Sequence, residues 1–228
     1  MKFSACTFHL LAAILLFGGI SSLFGRSAQV LYFKAPKNAP QSVHIYQSAT
    51  QSVEVDLKRN NFSKSFNLED GAITLRFLGT KLQEGQEFPV AAPSLEVPAD
   101  YDKVLILAFA NPRNPVFPVR FKVIKANDET FGPGDRMFIN FTDYRIVGNV
   151  GNQKLDLASH SIKVVSDAAK PKQSYQVRLD RVDPAIGKPY TFIRQAWRQS
   201  STKRVLIFVY SAPGSGSVTY YSAPVHNL

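Results

Sequence analysis

The chain has 228 residues, 45% of them hydrophobic and 19% charged, with 17 Phe and 9 Tyr. That much apolar material supports a packed core and excludes a disordered chain, and the aromatic and β-branched residues suit half-buried sheet surfaces. The formal net charge of +10 bears on solubility and on association with acidic partners, not on the fold.

In chain order the first element is an export signal. Lys2 precedes an apolar run over 8–24, and the small residues of "GRSA" at 25–28 suit cleavage. The segment 1–28 therefore reads as a signal peptide, and losing Lys2 and Arg26 takes the net charge from +10 to +8. Left uncleaved, the same run is an N-terminal anchor at the short edge of what spans a bilayer. No second long apolar run follows, so no further transmembrane span is expected. Cys6, the one cysteine, lies inside the signal. The mature chain then has no disulfide, no thiol chemistry and no Cys-based metal site, and no cysteine stands where a lipoprotein anchor needs one. The expected location is the periplasm or the extracellular space, with the fold held by its own packing.

Beyond the signal, alternation with a period of two dominates. "VLYF" at 30–33, "SVHIY" at 42–46, "SVEVDL" at 52–57 and "ITLRFLG" at 73–79 read as strands. Short segments follow at 88–90 and 95–97, then the nearly continuous apolar run "KVLILAFA" at 103–110 and the alternating "VRFKVIKA" at 119–126. The polar stretch "NDETFGPGDR" at 127–136 is the best boundary signal. "MFINF", "RIVGNV", "KLDL", "SIKVV", "SYQVRLDRV", "YTFIRQAWR", "RVLIFVY" and "SVTYYS" complete the strands.

The chain also repeats itself. "KVLILAFANPRNPVFPVRF" resembles "RVLIFVYSAPGSGSVTYYS", and the stretch 42–66 parallels 137–164. The expectation is an all-β protein: a signal peptide at 1–28, then two tandem immunoglobulin-like antiparallel β-sandwiches at 29–126 and 127–228. A single larger sandwich is the alternative. Within "RMFINFTDYRIVGNVGNQKLDL", Asn140, Thr142 and Asp143 read as a hairpin loop and Gly151–Asn152 as a second turn, together the opening meander of the second sandwich.

Chemistry-bearing patterns are sparse. His9 leaves with the signal, His44 sits mid-strand, His160 lies in a Ser-rich turn and His226 is near the C-terminus; no pair has metal-ligand spacing. No nucleophile motif occurs, and "GSGS" at 214–217 leads into a strand, so no helix N-terminus backs it as a phosphate site. The pairs Glu69/Asp70, Asp100/Asp102, Asp128/Glu129 and Asp180/Asp183 fall at turns or solvent-facing positions. The N-x-S/T triplets at Asn61 and Asn140 read as chance. The basic residues are the more suggestive group. On the strand 190–198, Arg194 and Arg198 share a face with Phe192, while Trp197 shares the other with Ile193, and Arg178 comes from the preceding strand. Basic residues beside aromatics bind anionic polymers or stack on sugars. Against this stands the plainer account, with Trp197 in the core and the arginines on a solvated face.

The stretch "FGPGDRMFINFTDYRIVGNVGNQKLDLASHSIKVV" at 131–165 resembles a segment of uncharacterised exported bacterial tandem β-sandwich proteins. There, a Pro/Gly turn precedes a strand ending in Asn and Ser/Thr, then a second strand, a Gly-centred turn and a Leu-rich strand. The similarity covers about 35 residues, and this chain departs from it at "LASHSIKVV", where the family pattern has Pro-Gly. The resemblance implies an exported β-sandwich and brings no activity. The functional expectation is thus a non-catalytic cell-envelope protein, structural or protein-interacting, with no cofactor, no metal and no nucleic-acid partner. The first alternative is an accessory module for an acidic polysaccharide or other anionic surface, using Arg178, Arg194, Arg198 and Trp197. A weaker one is an enzyme with a site between the two sandwiches.

Overall fold

The structure is a computed structural model describing residues 25–226, so the signal reading for residues 1–24 lies outside the described residues. Those described hold sixteen β-strands and no helix. The first eight are β1 (Ser27–Tyr32), β2 (Ser42–Tyr46), β3 (Ser52–Asp56), β4 (Phe66–Asn67), β5 (Ile73–Leu78), β6 (Ser94–Val97), β7 (Lys103–Ala110) and β8 (Val119–Lys125). They make two sheets, ordered β4-β1-β7-β8 and β3-β2-β5-β6. The other eight are β9 (Arg136–Asn140), β10 (Arg145–Val150), β11 (Gln153–Leu157), β12 (Ile162–Val165), β13 (Ser174–Val182), β14 (Pro189–Arg198), β15 (Arg204–Ser211) and β16 (Val218–Val225). Their sheets, β12-β9-β15-β16 and β11-β10-β13-β14, repeat the first two orders with every strand number raised by eight. The one parallel pairing recurs as well, β1 with β7 and β9 with β15.

The repeat lies one strand away from where pattern matching sets its start. β9 stands where β1 stands: Phe33 and Phe141, each just past its strand, donate a backbone N–H to the Ala108 and Val209 carbonyls at 2.9 and 2.8 Å. "SVHIY" of β2 therefore corresponds to "RIVGNV" of β10, not to "MFINF". β9 to β11 are no meander either, because β9 belongs to one sheet and β10 and β11 to another. The loop between β9 and β10 is a corner between sheets. There Asn140, 1% exposed, donates to the Tyr144 and Ala158 carbonyls at 2.7 and 2.9 Å and accepts from the Thr142 amide and hydroxyl. Gly151 opens a two-residue hairpin with φ of 61°. One further strand expectation shifts, and one strand goes unread. Residues 88–90 lie in a loop over 79–93, where Phe88 docks on Tyr46 at 5.1 Å and precedes Pro89. The two-residue β4 has no alternation long enough to read.

Three apolar cores order the four sheets into a stack. Val43, Ile45, Leu75 and Phe77 of β3-β2-β5-β6 pack against Val30, Val104 and Ile106 of β4-β1-β7-β8. The other face of that sheet, with Leu31, Leu105 and Leu107, packs against Met137, Ile139, Leu206 and Phe208 of β12-β9-β15-β16. The far face of the third sheet, with Phe138, Ile207 and Val209, closes on Ile146, Leu155, Val177 and Leu179 of the fourth. The two middle sheets are thus buried on both sides. This is why β7 and β15 read as continuous apolar runs, while the outer strands alternate.

The connection between β8 and β9 is polar in sequence but pinned in place. Asn127, 3% exposed, accepts from the Asp102 and Lys103 amides at 2.9 and 3.1 Å, and Phe131 is fully buried in the middle core. Asp128 pairs with both Lys103 and Arg204, the residues that open β7 and β15. At the other end, β1 includes Ser27 and Ala28, so the β structure begins inside the segment 1–28 read as signal. Arg26, 5% exposed, bonds four backbone carbonyls, those of Glu69, Gly71, Pro98 and Tyr101.

Candidate functional site

The basic residues picked out by sequence gather on the outer face of β11-β10-β13-β14. Tyr175, Val177 and Leu179 of β13 point into the core, so Arg178 points out. Cross-strand register then places Lys154, Asn149, Arg178 and Arg194 on one rung running across all four strands. The side-chain period of two keeps Arg198 on the same face, opposite Ser174 at the far end of the β13/β14 pair. Arg145 and Asp156 add an ion pair, which raises the Arg145 guanidinium and lowers the Asp156 carboxyl, in both cases through their mutual hydrogen bond. Asp180 accepts from Thr191 and lies 3.6 Å from Arg178.

Arg178 directly opposite Arg194 is a like-charge pair, an arrangement that costs stability within a sheet. Lys154, Arg194 and Arg198 take part in no ion pair among the described residues. The face carries five cations (Arg145, Lys154, Arg178, Arg194, Arg198) against two carboxylates (Asp156, Asp180), formally +3.

Trp197 does not join them. It turns inward opposite Tyr175 and packs near Phe138 and Tyr220, with centroids 6.4 and 5.8 Å away. It meets Arg198 only at a hollow of about 250 Å3 that Tyr220 and Arg136 also line. Arg136 is itself structural: it is buried and donates to Gln199 at 2.7 Å and to the Arg198 carbonyl at 2.8 Å. Burial lowers its guanidinium and pushes the neighbouring Tyr175 phenol up to about 12.

Lys154 and Arg145 escaped the sequence reading. The alternation of "KLDL" after a Gly-Asn turn places Lys154 outward. The pairing of β10 with β13 that aligns it with Arg178 is long-range and leaves no local pattern.

The outer face at the opposite end of the stack, on β3-β2-β5-β6, has a different character. Its outward residues include Glu54, Asp56 and Glu96 against Arg76. The loop over 79–93 folds across it, with the Tyr46 hydroxyl accepting from the Leu82 amide at 2.6 Å and Arg76 resting 4.7 Å from the Phe88 ring. Between loop and sheet lies a groove of about 990 Å3 with Glu84 and Glu87 in its lining, adjoined by a second of about 590 Å3 reached by Glu69 and Asp70.

Several of the other acidic residues serve the fold. Asp100 pairs with Lys125 at 2.8 Å, and Asp183 caps its own turn by accepting from the Ala185 amide at 2.8 Å. His160 meets Asp143 in an exposed pair at 2.8 Å. The space between the two units, where an inter-sandwich enzyme site would sit, holds the packed apolar middle core. Among the described residues no group of His, Cys, Asp or Glu gathers as a metal requires, and no helix is long and apolar enough to cross a membrane. No protein-family model matches the chain, and none of the curated proteins matches it.

Proposed function

We propose that the protein is a non-catalytic exported component of the cell envelope, a structural or protein-interaction module built of two immunoglobulin-like β-sandwiches. The observation that supports this is the stack itself. Two doubly buried middle sheets hold two sheet faces at opposite ends, outward-facing and about 30 Å apart at the usual sheet spacing of about 10 Å. Rigid, charged faces, one open and one crossed by the loop over 79–93, suit docking, and several of the surrounding charges hold turns and strands. The test is affinity capture of the mature protein from its own envelope, in parallel with an Arg178→Glu/Arg194→Glu variant. A defined set of partners lost in the variant is the expected result. A hydrolytic activity that disappears on substituting one of the carboxylate pairs sinks the reading.

The rung of Lys154, Arg178 and Arg194 favours a second reading, an accessory module for an acidic polysaccharide or another anionic surface. Retention on an anionic glycan column should then fall steeply with salt. Retention unchanged by Arg194→Ala/Arg198→Ala counts against those residues.

A further inference from the structure

The two outer faces of the stack are the same element of the repeat, and they carry opposite charge. The face of β11-β10-β13-β14 is formally +3, whereas that of β3-β2-β5-β6 has one cation, Arg76, against Glu54, Asp56 and Glu96, formally −2. The loop over 79–93 sharpens the difference, adding Glu84 and Glu87 against Lys81. Because the sheets are stacked in one order, the faces look away from each other and cannot meet within one molecule. We propose that they meet between molecules: the basic face of one copy docks on the acidic face of the next, head to tail. This rests on the interaction-module reading and names its partner as a second copy of the chain.

Shape agrees with charge. The basic face offers a row of long arginine side chains standing off a sheet, and the acidic face offers a groove of about 990 Å3 in which Glu84 and Glu87 stand beside Arg76 and Lys81, so the excess of negative charge lies on the strands, at Glu54, Asp56 and Glu96. A contact between two different faces does not close on itself, so it builds open chains of copies and not dimers. Four strands at about 4.8 Å by about 13–20 Å, the length of the four to six residues in each strand of the smaller face, give about 250–400 Å2 per partner. That is below the roughly 800 Å2 of a standard stable interface. The association is therefore weak, steered by charge and sensitive to salt.

The experiment is sedimentation velocity of the purified mature protein over a concentration series in low and high salt. The expected result is a sedimentation coefficient that climbs with concentration in low salt and returns to that of the monomer in high salt. Arg178→Glu/Arg194→Glu, with two acidic ends, should stay monomeric, and so should Glu54→Lys/Glu96→Lys, with two basic ends. Mixing the two should restore large species, a recovery that misfolded variants could not give. Wild-type protein that stays monomeric in low salt overturns the proposal, as does association that survives the Arg178/Arg194 reversal. If the wild type is monomeric yet binds an anionic glycan through Arg178 and Arg194, self-docking is wrong while the module reading stands. If it also captures no envelope partner, both fail.

Discussion

Arg26→Ala should cost far more than a change inside the segment that the sequence marks for removal ordinarily would. Arg26 is 5% exposed, and its guanidinium donates from Nε to the Tyr101 carbonyl at 3.0 Å, from Nη2 to that of Pro98 at 2.6 Å, and from Nη1 to those of Glu69, at 2.6 Å, and Gly71. It thus ties the connection entering β7 to the connection entering β5, at the point where the chain enters the fold. Hydrogen bonds from a charged donor are worth about 1.5–3 kcal/mol each. They do not add fully, because freed loop carbonyls relax toward water. A net loss of about 3–5 kcal/mol is the reasonable sum, or a fall in Tm of about 6–20 °C for a chain of this size. Arg26→Lys should recover only part of it, since one ammonium cannot span four acceptors. Urea denaturation of the purified variants measures the loss directly. A change below about 1 kcal/mol would show that the four contacts are incidental. The same geometry constrains processing. Cutting after Ala28 removes the anchor and the first two residues of β1, so the mature N-terminus is expected at or before Arg26. Intact-mass measurement of exported protein that begins at Gln29 refutes this.

Tyr175 carries a buried hydroxyl with no hydrogen-bond partner, so Tyr175→Phe should leave stability at neutral pH unchanged or raise it by about 1 kcal/mol in thermal unfolding. Burial raises the Tyr175 phenol from 10.0 to about 12. The folded state therefore keeps a proton that the unfolded chain loses, and stability falls as pH rises from 10 toward 12, by at most about 3 kcal/mol. In parallel alkaline melts, the Phe variant should lack that step. Gly151→Ala places a Cβ 1.9 Å from the Ala168 carbonyl oxygen at a φ of +61°. It should cost about 2–4 kcal/mol by chemical denaturation, well beyond the roughly 1 kcal/mol of an unstrained turn. Phe208→Ala empties a fully buried position 4.8 Å from Phe33 across the two units. A loss of about 3–5 kcal/mol is expected, with separate unfolding of the halves appearing in a calorimetric trace.

Strand identity was legible in the chain because alternation is a local signal, and nearly every outer strand carries it. "SVEVDL" and "SYQVRLDRV" announce both their conformation and their outward residues. The continuous run of "KVLILAFA" announced burial on both sides, but not that the second cover is another unit's sheet. That cover depends on Phe33, Phe109, Phe141 and Phe208 meeting across a distance in sequence of up to 175 positions, which no window contains. The corner at Asn140 reads as a hairpin in the sequence because Asn and Thr suit both. What decides is whether the next strand returns beside the last, a tertiary fact. The candidate face was half legible. Alternation places Arg178, Arg194 and Arg198 outward and turns Trp197 in, but the rung that adds Lys154 exists only through the pairing of β10 with β13.

The functional weight falls on what the repeat does not repeat. The middle sheets are near copies because each must bury both faces, and that demand fixes β1 with β7 and β9 with β15 as parallel apolar pairs. The outer sheets answer to no such constraint on their solvent side, and there the two units diverge. The first joins β5 to β6 through residues 79–93, which fold back over their own sheet and carry carboxylates to its groove. The second joins β13 to β14 through residues 183–188 alone and extends the two strands to nine and ten residues, leaving the arginine row uncovered. A like-charge rung such as Arg178 opposite Arg194 works against the sheet that holds it. Within the sheet Arg178 finds Asp180 at 3.6 Å, whereas Arg194 has no ion-pair partner among the described residues, so the docking proposed above would supply the anion that this side of the rung lacks.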